Sequence, residues 1–378
     1  MMKVVIIETV HAQYGITQSE LFHDAEQTFF ATAAIKARMQ ALAPGLGDER
    51  FILINSVDEA CERIIRYCNE QQVNLLSISP LFKDFESVLR IAQEVKATTA
   101  LTVHNLNYWF NARYRTWKYY RQRRLKQRIT HACDHILVDD GILDHIRTER
   151  RDLLRRHNFL MVPFTLFHPG KEIGADRAPA ETGRVKVVLP GSIYAMSRDY
   201  GQVLEVIDRF AKEGAPISFS FAGPAVGAYG LEVVGRLEQA NEAQPGIARF
   251  YPTGALPTAE MFMDEMSTAD LLLSPLHAEF RALGTTEYYG RTKVTGAMGD
   301  MITFRLPGLL PAHIPVPPGL TGSVFHFSTA DELHGLLAKF LHSPDTLQLA
   351  REKARSNSLH YTAEAIRAGL TPLLQLGE

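Results

Sequence analysis

The sequence predicts an α/β protein of two doubly wound parallel sheets, Rossmann-like domains that face each other across a cleft. Three observations predict it. In the first half, short β-branched runs alternate with helical stretches of roughly 10–20 residues. A segment rich in glycine, proline and charge, residues 168–184, then interrupts the pattern. Beyond it the same alternation restarts. Strands joined in this way close right-handed βαβ units, which build parallel sheets covered by helices on both faces. At 378 residues the chain has the length for two such domains.

The first domain is assigned to residues 1–167. Lys3 to Ile7 is a β-branched run suited to a buried parallel strand. A helix is expected over 17–42, where Phe22, Ala25 and Phe29 recur at helical spacing. Further strands are expected at 51–55, 73–78, 99–104, 135–138 and 159–163, with helices at 57–68 and 85–95. The linker follows at 168–184, and a second domain at 185–357. Its strands are expected at 185–191, 217–223, 248–251, 271–273 and 324–327. Its helices are expected at 200–212, 231–241, 258–267, 330–342 and 345–357, the third with Thr258 as N-cap. A last helical segment, about 361–374, closes the chain, with Gly369 and Pro372 fraying its end.

Composition narrows the function. A hydrophobic fraction of 46% with 22% charged residues is that of a soluble globular protein. A net charge of −2 gives no reason to expect nucleic acid as partner. Cys61, Cys68 and Cys133 lack both a disulfide framework and metal-ligand spacing, and Cys61 and Cys68, seven apart on one expected helix, read as core thiols. The chain goes straight into a strand, so no leader is expected, and no apolar run reaches the ~18 residues that span a bilayer. A cytoplasmic protein with reduced thiols is the expectation.

The stretch from Ala269 to Pro311 is the densest in candidate chemistry. An apolar run, Leu271 to Leu273, stops at Ser274-Pro275; a polar loop is expected over 277–289, and a helix from Gly290 to about Met301. A helix start leaves N–H groups unpaired and favours an anion, and Lys293 adds a full charge, so the segment suits phosphate. Glycines that only permit tight packing would read the same way. Two other strand ends in this half carry small residues where a ligand could approach the backbone: Gly191-Ser192, followed by Arg198, and Gly223. Glu287, near the same site, could accept hydrogen bonds from sugar hydroxyls, or be solvated. In the first half, His104 ends a strand and precedes Asn105, a position for proton transfer or oxyanion contact, or for structural capping. Glu8 and His11, after the first strand, would face the same cleft and could act on an acceptor hydroxyl.

Residues 111–128 differ in kind. Arg113, Arg115, Lys118, Arg121, Arg123, Arg124, Lys126 and Arg128 are interleaved with Tyr114, Trp117, Tyr119 and Tyr120, without an acid. Such a helix suits an anionic membrane surface, a single strand of nucleic acid, or simple solvation. Membrane association is preferred, because nothing else in the chain has the character of a nucleic-acid module.

With those residues in view, the layout resembles glycosyltransferases of the GT-B fold, the retaining nucleotide-sugar type often called family 4. Leu101-Thr-Val-His104-Asn105 resembles the family's strand ending in a histidine near the donor sugar. Val188-Leu-Pro-Gly191-Ser192, with Arg198 downstream, resembles the turn that opens its donor domain. Phe221-Ala-Gly223 resembles the strand end beneath the nucleotide, and Ala269 to Ser274, with Tyr289-Gly290, its nucleotide-sugar segment. The closing segment, 358–378, resembles the helix that crosses back onto the first domain. The family's second glutamate, eight residues after Glu287, is absent: Thr295 and Gly296 stand there. Arg291-Thr-Lys293-Val-Thr-Gly296 instead resembles a variant found in polysaccharide assembly. Arg305-Leu-Pro307 replaces the usual Gly-x-Pro, and Glu8-Thr-Val-His11 the glycine-rich loop.

The resemblance implies a transferase that moves a sugar from a nucleotide diphosphate to a carbohydrate, lipid-linked acceptor. His104 and Glu287 would be catalytic. Gly191, Ser192, Arg198, Gly223, Ser274, Tyr289, Gly290, Thr292 and Lys293 would bind the donor, and Glu8, His11 and Asn105 the acceptor. No cofactor or metal is expected, since no Asp-x-Asp pair suggests one. The basic-aromatic helix, 113–128, would hold the protein on the inner face of the cell membrane. A nucleotide-sugar epimerase or phosphorylase of the same fold is the near alternative. A non-catalytic glycan- or nucleotide-binding partner of an assembly complex is the distant one.

Overall fold

The computed structural model describes residues 1–111, 117–170, 183–251, 257–282 and 284–377, with side chains from 120 onward in the helix that starts at 117. Among these residues the first sheet has seven parallel strands. They are β1 (Lys3–Glu8), β2 (Glu26–Ala31), β3 (Phe51–Leu53), β4 (Leu75–Ile78), β5 (Thr98–Thr102), β6 (His135–Val138) and β7 (Phe159–Met161). Their order is β3-β2-β1-β4-β5-β6-β7, so the winding reverses between β1 and β4. β1 is covered on both faces, Val4 and Ile6 in one apolar cluster and Val5 and Ile7 in the other. That is why it reads as an unbroken β-branched run.

The second sheet contains β8 (Val185–Pro190), β9 (Ile217–Ala222), β10 (Ala248–Arg249) and β11 (Leu271–Leu273). An antiparallel ribbon of β12 (Glu279–Ala282) and β13 (Thr285–Tyr288) stands outside it, and β14 (Gly308–Pro311) and β15 (Val324–Phe327) complete it. The order β10-β9-β8-β11-β14-β15 reverses between β8 and β11. In open α/β sheets the ligand crevice lies at such a reversal, outside the carboxyl ends of the strands.

Three expected elements are corrected. The helix over 17–42 is in fact a helix Ala12–Leu21, strand β2 and a helix Ala33–Leu42. Phe29 and Phe30 pair in register with Ile6 and Ile7 and fall into opposite apolar clusters. Burying both rings against β1 outweighs the coincidental helical spacing. The polar loop over 277–289 contains the β12–β13 ribbon, and β14 was not expected. The helix expected from Gly290 begins instead at Gly296 and runs to Phe304, with Thr295 as N-cap. Gly290 has φ +74°, outside helical backbone, and turns the chain back before the helix can start.

Residues 359–377 form short helical turns rather than one helix, because Gly369 and Pro372 interrupt the ladder. They lie on the first domain. Ile366, Leu370 and Leu373 join the cluster of Val4, Ile6 and Leu21, and Arg367 pairs with Asp24 at 2.6 Å. Most of the linker, 171–182, lies outside the described residues. Cys61, Cys68 and Cys133 are buried free thiols.

Candidate functional site

The site begins where β5 ends. Past Thr102 the chain turns at His104-Asn105 into a short helix, Leu106–Phe110. Residues 286–294 of the second domain lie along this turn and bond to it. The Leu106 amide donates to the Thr292 carbonyl at 2.7 Å, and the Val294 amide to the His104 carbonyl at 3.3 Å. Asn107 Nδ2 donates to the Thr286 carbonyl at 2.9 Å. The two domains are therefore clasped, backbone to backbone, at one corner of the cleft.

Glu287 completes the clasp. Its carboxylate accepts the amide hydrogens of Asn107 at 3.2 Å and Tyr108 at 2.7 Å. It caps the Leu106–Phe110 helix from the opposite domain, while Asn105, in the N-cap position, makes no cap bond of its own.

Beside the clasp lies a cavity of about 390 Å³ walled by both domains. His11, His104, Asn105, Glu287 and Lys293 line it, as do Gly296 and the rings of Tyr14, Phe82, Tyr108, Phe164 and Phe280. The ribbon supplies one wall by strand alternation: Phe280 pairs with Glu287 and Ala282 with Thr285, and these four line the cavity. His11 and His104 meet edge to face with ring centroids 4.9 Å apart. Lys293 Nζ donates to Asn105 Oδ1 at 3.0 Å and sits 4.7 Å from the Phe280 ring centroid. His11 Nε2 and His104 Nδ1 are buried and have no hydrogen-bond partner.

Burial dominates the electrostatics. It raises Glu287 to about 7 against the pull of its hydrogen bonds and of Lys293. It lowers His11 to about 4, helped by Lys293, and drives His104 well below its usual value, with His11 and Lys293 adding to the effect. Lys293 is lowered by burial and partly restored by Glu287. At neutral pH both imidazoles are uncharged.

The other sequence candidates divide. Glu8 is fully buried behind the cavity wall, its Oε1 accepting the amides of Val10 and His11 at 2.8 and 2.7 Å. Burial lifts it to about 7. It buttresses His11 and does not line the cavity. Gly191 (φ +90°) and Gly223 form interlocked turns, and a Cβ on Gly223 would stand 2.3 Å from the Gly191 carbonyl. Arg198 ties them, donating to the Ser192 and Pro190 carbonyls at 3.0 and 2.9 Å. Ser274 is buried at the end of β11, its hydroxyl without a partner. Tyr289 packs against Phe280 in an apolar cluster. Gly290 and Thr292 belong to the clasp rather than to a helix start. Thr292 Oγ1 accepts the Tyr288 amide at 2.8 Å.

Sequence reasoning missed the aromatic walls and two acids. Asp300, half-buried in the Gly296–Phe304 helix, is raised to about 7 by burial against the pull of Arg198. Being the only charged residue of an apolar helix was its signal. Asp139, after β6, is pushed well up by burial and by the neighbouring Asp140, which accepts from the Tyr361 hydroxyl. Among the described residues no group of three or more His, Cys, Asp or Glu is placed to hold a metal ion.

In the basic helix, Trp117–Ala132, Tyr120, Arg121, Arg123, Arg124 and Arg128 are exposed. Arg121 pairs with Glu86 at 3.2 Å. Lys126 is turned inward and donates to the Tyr108 carbonyl at 3.1 Å, so it is no part of the exposed face. Arg113, Tyr114 and Arg115 lie outside the described residues, as do the side chains of Trp117, Lys118 and Tyr119. Among the described residues no helix is long and apolar enough to cross a membrane.

No family model and no curated relative matches the sequence. Solved structures match over its whole length. A glycosyltransferase from Rickettsia africae superposes with a TM-score of 0.65 at 10% identity, over 100% of this chain and 99% of that one. HepE of Anabaena, in complex with UDP and glucose, gives 0.61 at 11% identity over 99% of each chain. A Listeria monocytogenes protein assigned as a UDP-N-acetylglucosamine 2-epimerase gives 0.60 at 12% identity, over 99% of this chain and 97% of that one. Identities this low speak to the fold alone. The chain has the GT-B fold, two Rossmann-like α/β domains on either side of a cleft.

Proposed function

We propose that this chain is a glycosyltransferase that moves a sugar from a nucleotide diphosphate to a lipid-linked carbohydrate acceptor in polysaccharide assembly. One observation carries the reading: Lys293, His104 and the first residue of the Gly296–Phe304 helix face one cavity walled by both domains. Lys293 and the helix start hold the diphosphate, and His104 contacts the glycosyl group near the reacting carbon. The bond from that carbon to the diphosphate oxygen breaks as the bond to the acceptor hydroxyl oxygen forms, and the hydroxyl proton passes to the departing diphosphate oxygen. Positioning and stabilisation of the departing diphosphate supply the rate, without a metal. His11 lies on the acceptor side, while Asn105, expected there as well, is engaged with Lys293 and His104. The turns of Gly191, Ser192 and Gly223, tied by Arg198, with Ser274 and Tyr289, support the nucleotide. Asp300 is the acid available to the ribose in place of the missing second glutamate. Retention of configuration rests on the family-4 resemblance. The exposed arginines of the basic helix seat the protein on the inner, cytoplasmic face of the membrane.

Thermal-shift measurements against UDP, GDP and ADP sugars, followed by a hydrolysis assay, test the reading. Stabilisation by one donor family and slow release of its sugar are expected. No stabilisation by any nucleotide sinks the proposal. The fold is shared with the Listeria epimerase-type protein, so the same assay looks for interconversion of the sugar without acceptor. Binding without turnover would mark a non-catalytic partner.

A further inference from the structure

Asn105 occupies the N-cap position of the Leu106–Phe110 helix with extended backbone, φ −134°, yet its side chain makes no cap bond. Asparagine is among the best N-cap residues, so this is a local rule left unused. Glu287 caps the helix instead. The Asn105 amide is thereby free for another task. It spans two cavity groups: Oδ1 accepts from Lys293 Nζ at 3.0 Å, and Nδ2 lies 3.0 Å from His104 Nε2.

These contacts fix a proton. The Lys293 ammonium has only hydrogens to offer, so the Asn105 atom facing it must be the carbonyl oxygen. The other end of the amide is then the NH₂ group, a donor, and His104 Nε2 must accept from it with its lone pair. In a neutral imidazole the hydrogen then resides on Nδ1. His104 Nδ1 is a buried atom without a partner in a residue that lines the cavity. A buried N–H left unbonded is costly, and a ligand oxygen would relieve that cost.

We propose that Asn105 is a positioning residue that locks His104 in the Nδ1–H tautomer, so that the cavity offers this N–H beside the Lys293 ammonium to oxygens of the donor's glycosyl phosphate. The tautomer stands on the geometry alone; the identity of the oxygens rests on the nucleotide-sugar reading. His104 is then a hydrogen-bond donor in the resting enzyme, not a general base at Nδ1. Lys293 acts twice, as a charge and as the group that orients the relay.

The test is long-range ¹H–¹⁵N correlation NMR of the histidine rings in the full chain without ligand, with His104 assigned from its loss in His104→Gln. Nδ1 is expected in the protonated range and Nε2 in the unprotonated range. Asn105→Asp, whose carboxylate can only accept, is expected to move the proton to Nε2. A wild-type His104 with its hydrogen on Nε2 overturns the proposal, and so does a tautomer unchanged in Asn105→Asp. Should that variant fail to fold, the wild-type spectrum decides alone. A second arm titrates pyrophosphate and UDP into the wild type and Asn105→Leu, with wild-type Nδ1–H shifting on binding. Binding weaker by about tenfold is expected in Asn105→Leu; equal affinity overturns the positioning role. If neither probe binds the wild type, the transferase reading and the ligand half of the proposal fall together, while the tautomer remains decided by the unliganded spectrum.

Discussion

Glu287 holds Tyr108 across the domain interface: a carboxylate on the ribbon of the second domain takes the Tyr108 amide of the first at 2.7 Å. It is the cap of a helix whose own N-cap residue, Asn105, is engaged with Lys293 and His104. Glu287→Ala leaves the buried Tyr108 amide and the half-buried Asn107 amide without an acceptor. Its cost is expected at about 2 kcal/mol, and Glu287→Gln at about 1 kcal/mol because its NH₂ faces one of the amides. Urea unfolding with an unchanged m-value measures it. An alanine variant as stable as the wild type would show that the clasp contributes nothing.

Lys293→Met removes the one ammonium facing the cavity among its described lining residues. The affinity for UDP or a UDP sugar is expected to fall by about 10–100-fold, the worth of a charge-assisted hydrogen bond. Isothermal titration on the folded variant checks it. Undiminished affinity would move the phosphate elsewhere.

How far the sequence reached depended on what each residue touches. β1 and β8 were legible because strands buried on both faces read as apolar runs, whatever lies around them. β2 was not, because only pairing with β1 makes Phe29 and Phe30 strand residues. His104, Asn105 and Lys293 were placed at the cleft from strand-end position, which the βα pattern supplies. That Glu287 would cap a helix some 180 residues upstream has no local signal. The ribbon has the pattern of a loop because its two strands have four residues each and alternate toward a cavity rather than a core. The helix starts at Gly296, six residues beyond Gly290, and the sequence does not separate the two because glycines mark both a positive-φ turn and a helix start.

Gly191→Ala tests the turn that Arg198 ties. At φ +90° a side chain is strained, and its Cβ would stand 2.5 Å from Arg198 Nη2. A loss of roughly 1–3 kcal/mol is expected. Arg198→Ala should lose part of the same interaction, so the double variant should fall short of the sum. Strict additivity in denaturant unfolding would mean that the two residues act independently.

Replacing Arg121, Arg123, Arg124 and Arg128 with glutamine removes the exposed charge among the described side chains of the basic helix. At about 1 kcal/mol per basic residue near an anionic surface, vesicle partitioning should weaken by roughly a hundredfold or more. Co-sedimentation with phosphatidylserine vesicles at low and high salt reads this, and wild-type binding should fade as salt rises. Wild-type protein that stays in the supernatant at low salt removes the membrane from the proposal.

The pH dependence of stability separates buried Glu8 from half-buried His11, whose amide it accepts. Glu8 titrates at about 7 in the fold, raised by burial, against an ordinary value of 4.5. Below 4.5 both folded and unfolded chains carry its proton; as pH rises toward about 7 only the folded chain keeps it, so stability falls across that window. His11, lowered by burial from 6.5 to about 4, acts in the opposite sense. Between those values the unfolded chain takes up a proton that the folded chain refuses, so stability falls as the solution is acidified. Glu8→Gln keeps an oxygen to accept the Val10 and His11 amides while deleting the titration. Its stability should match the wild type near pH 4 and exceed it increasingly toward pH 7, by on the order of 3 kcal/mol. The acid-side loss from His11 should show in Glu8→Gln, whereas in the wild type Glu8 offsets it between 4.5 and 6.5. Denaturant midpoints at half-unit pH steps give the two curves, and parallel profiles would mean that Glu8 is ionised in the fold at neutral pH.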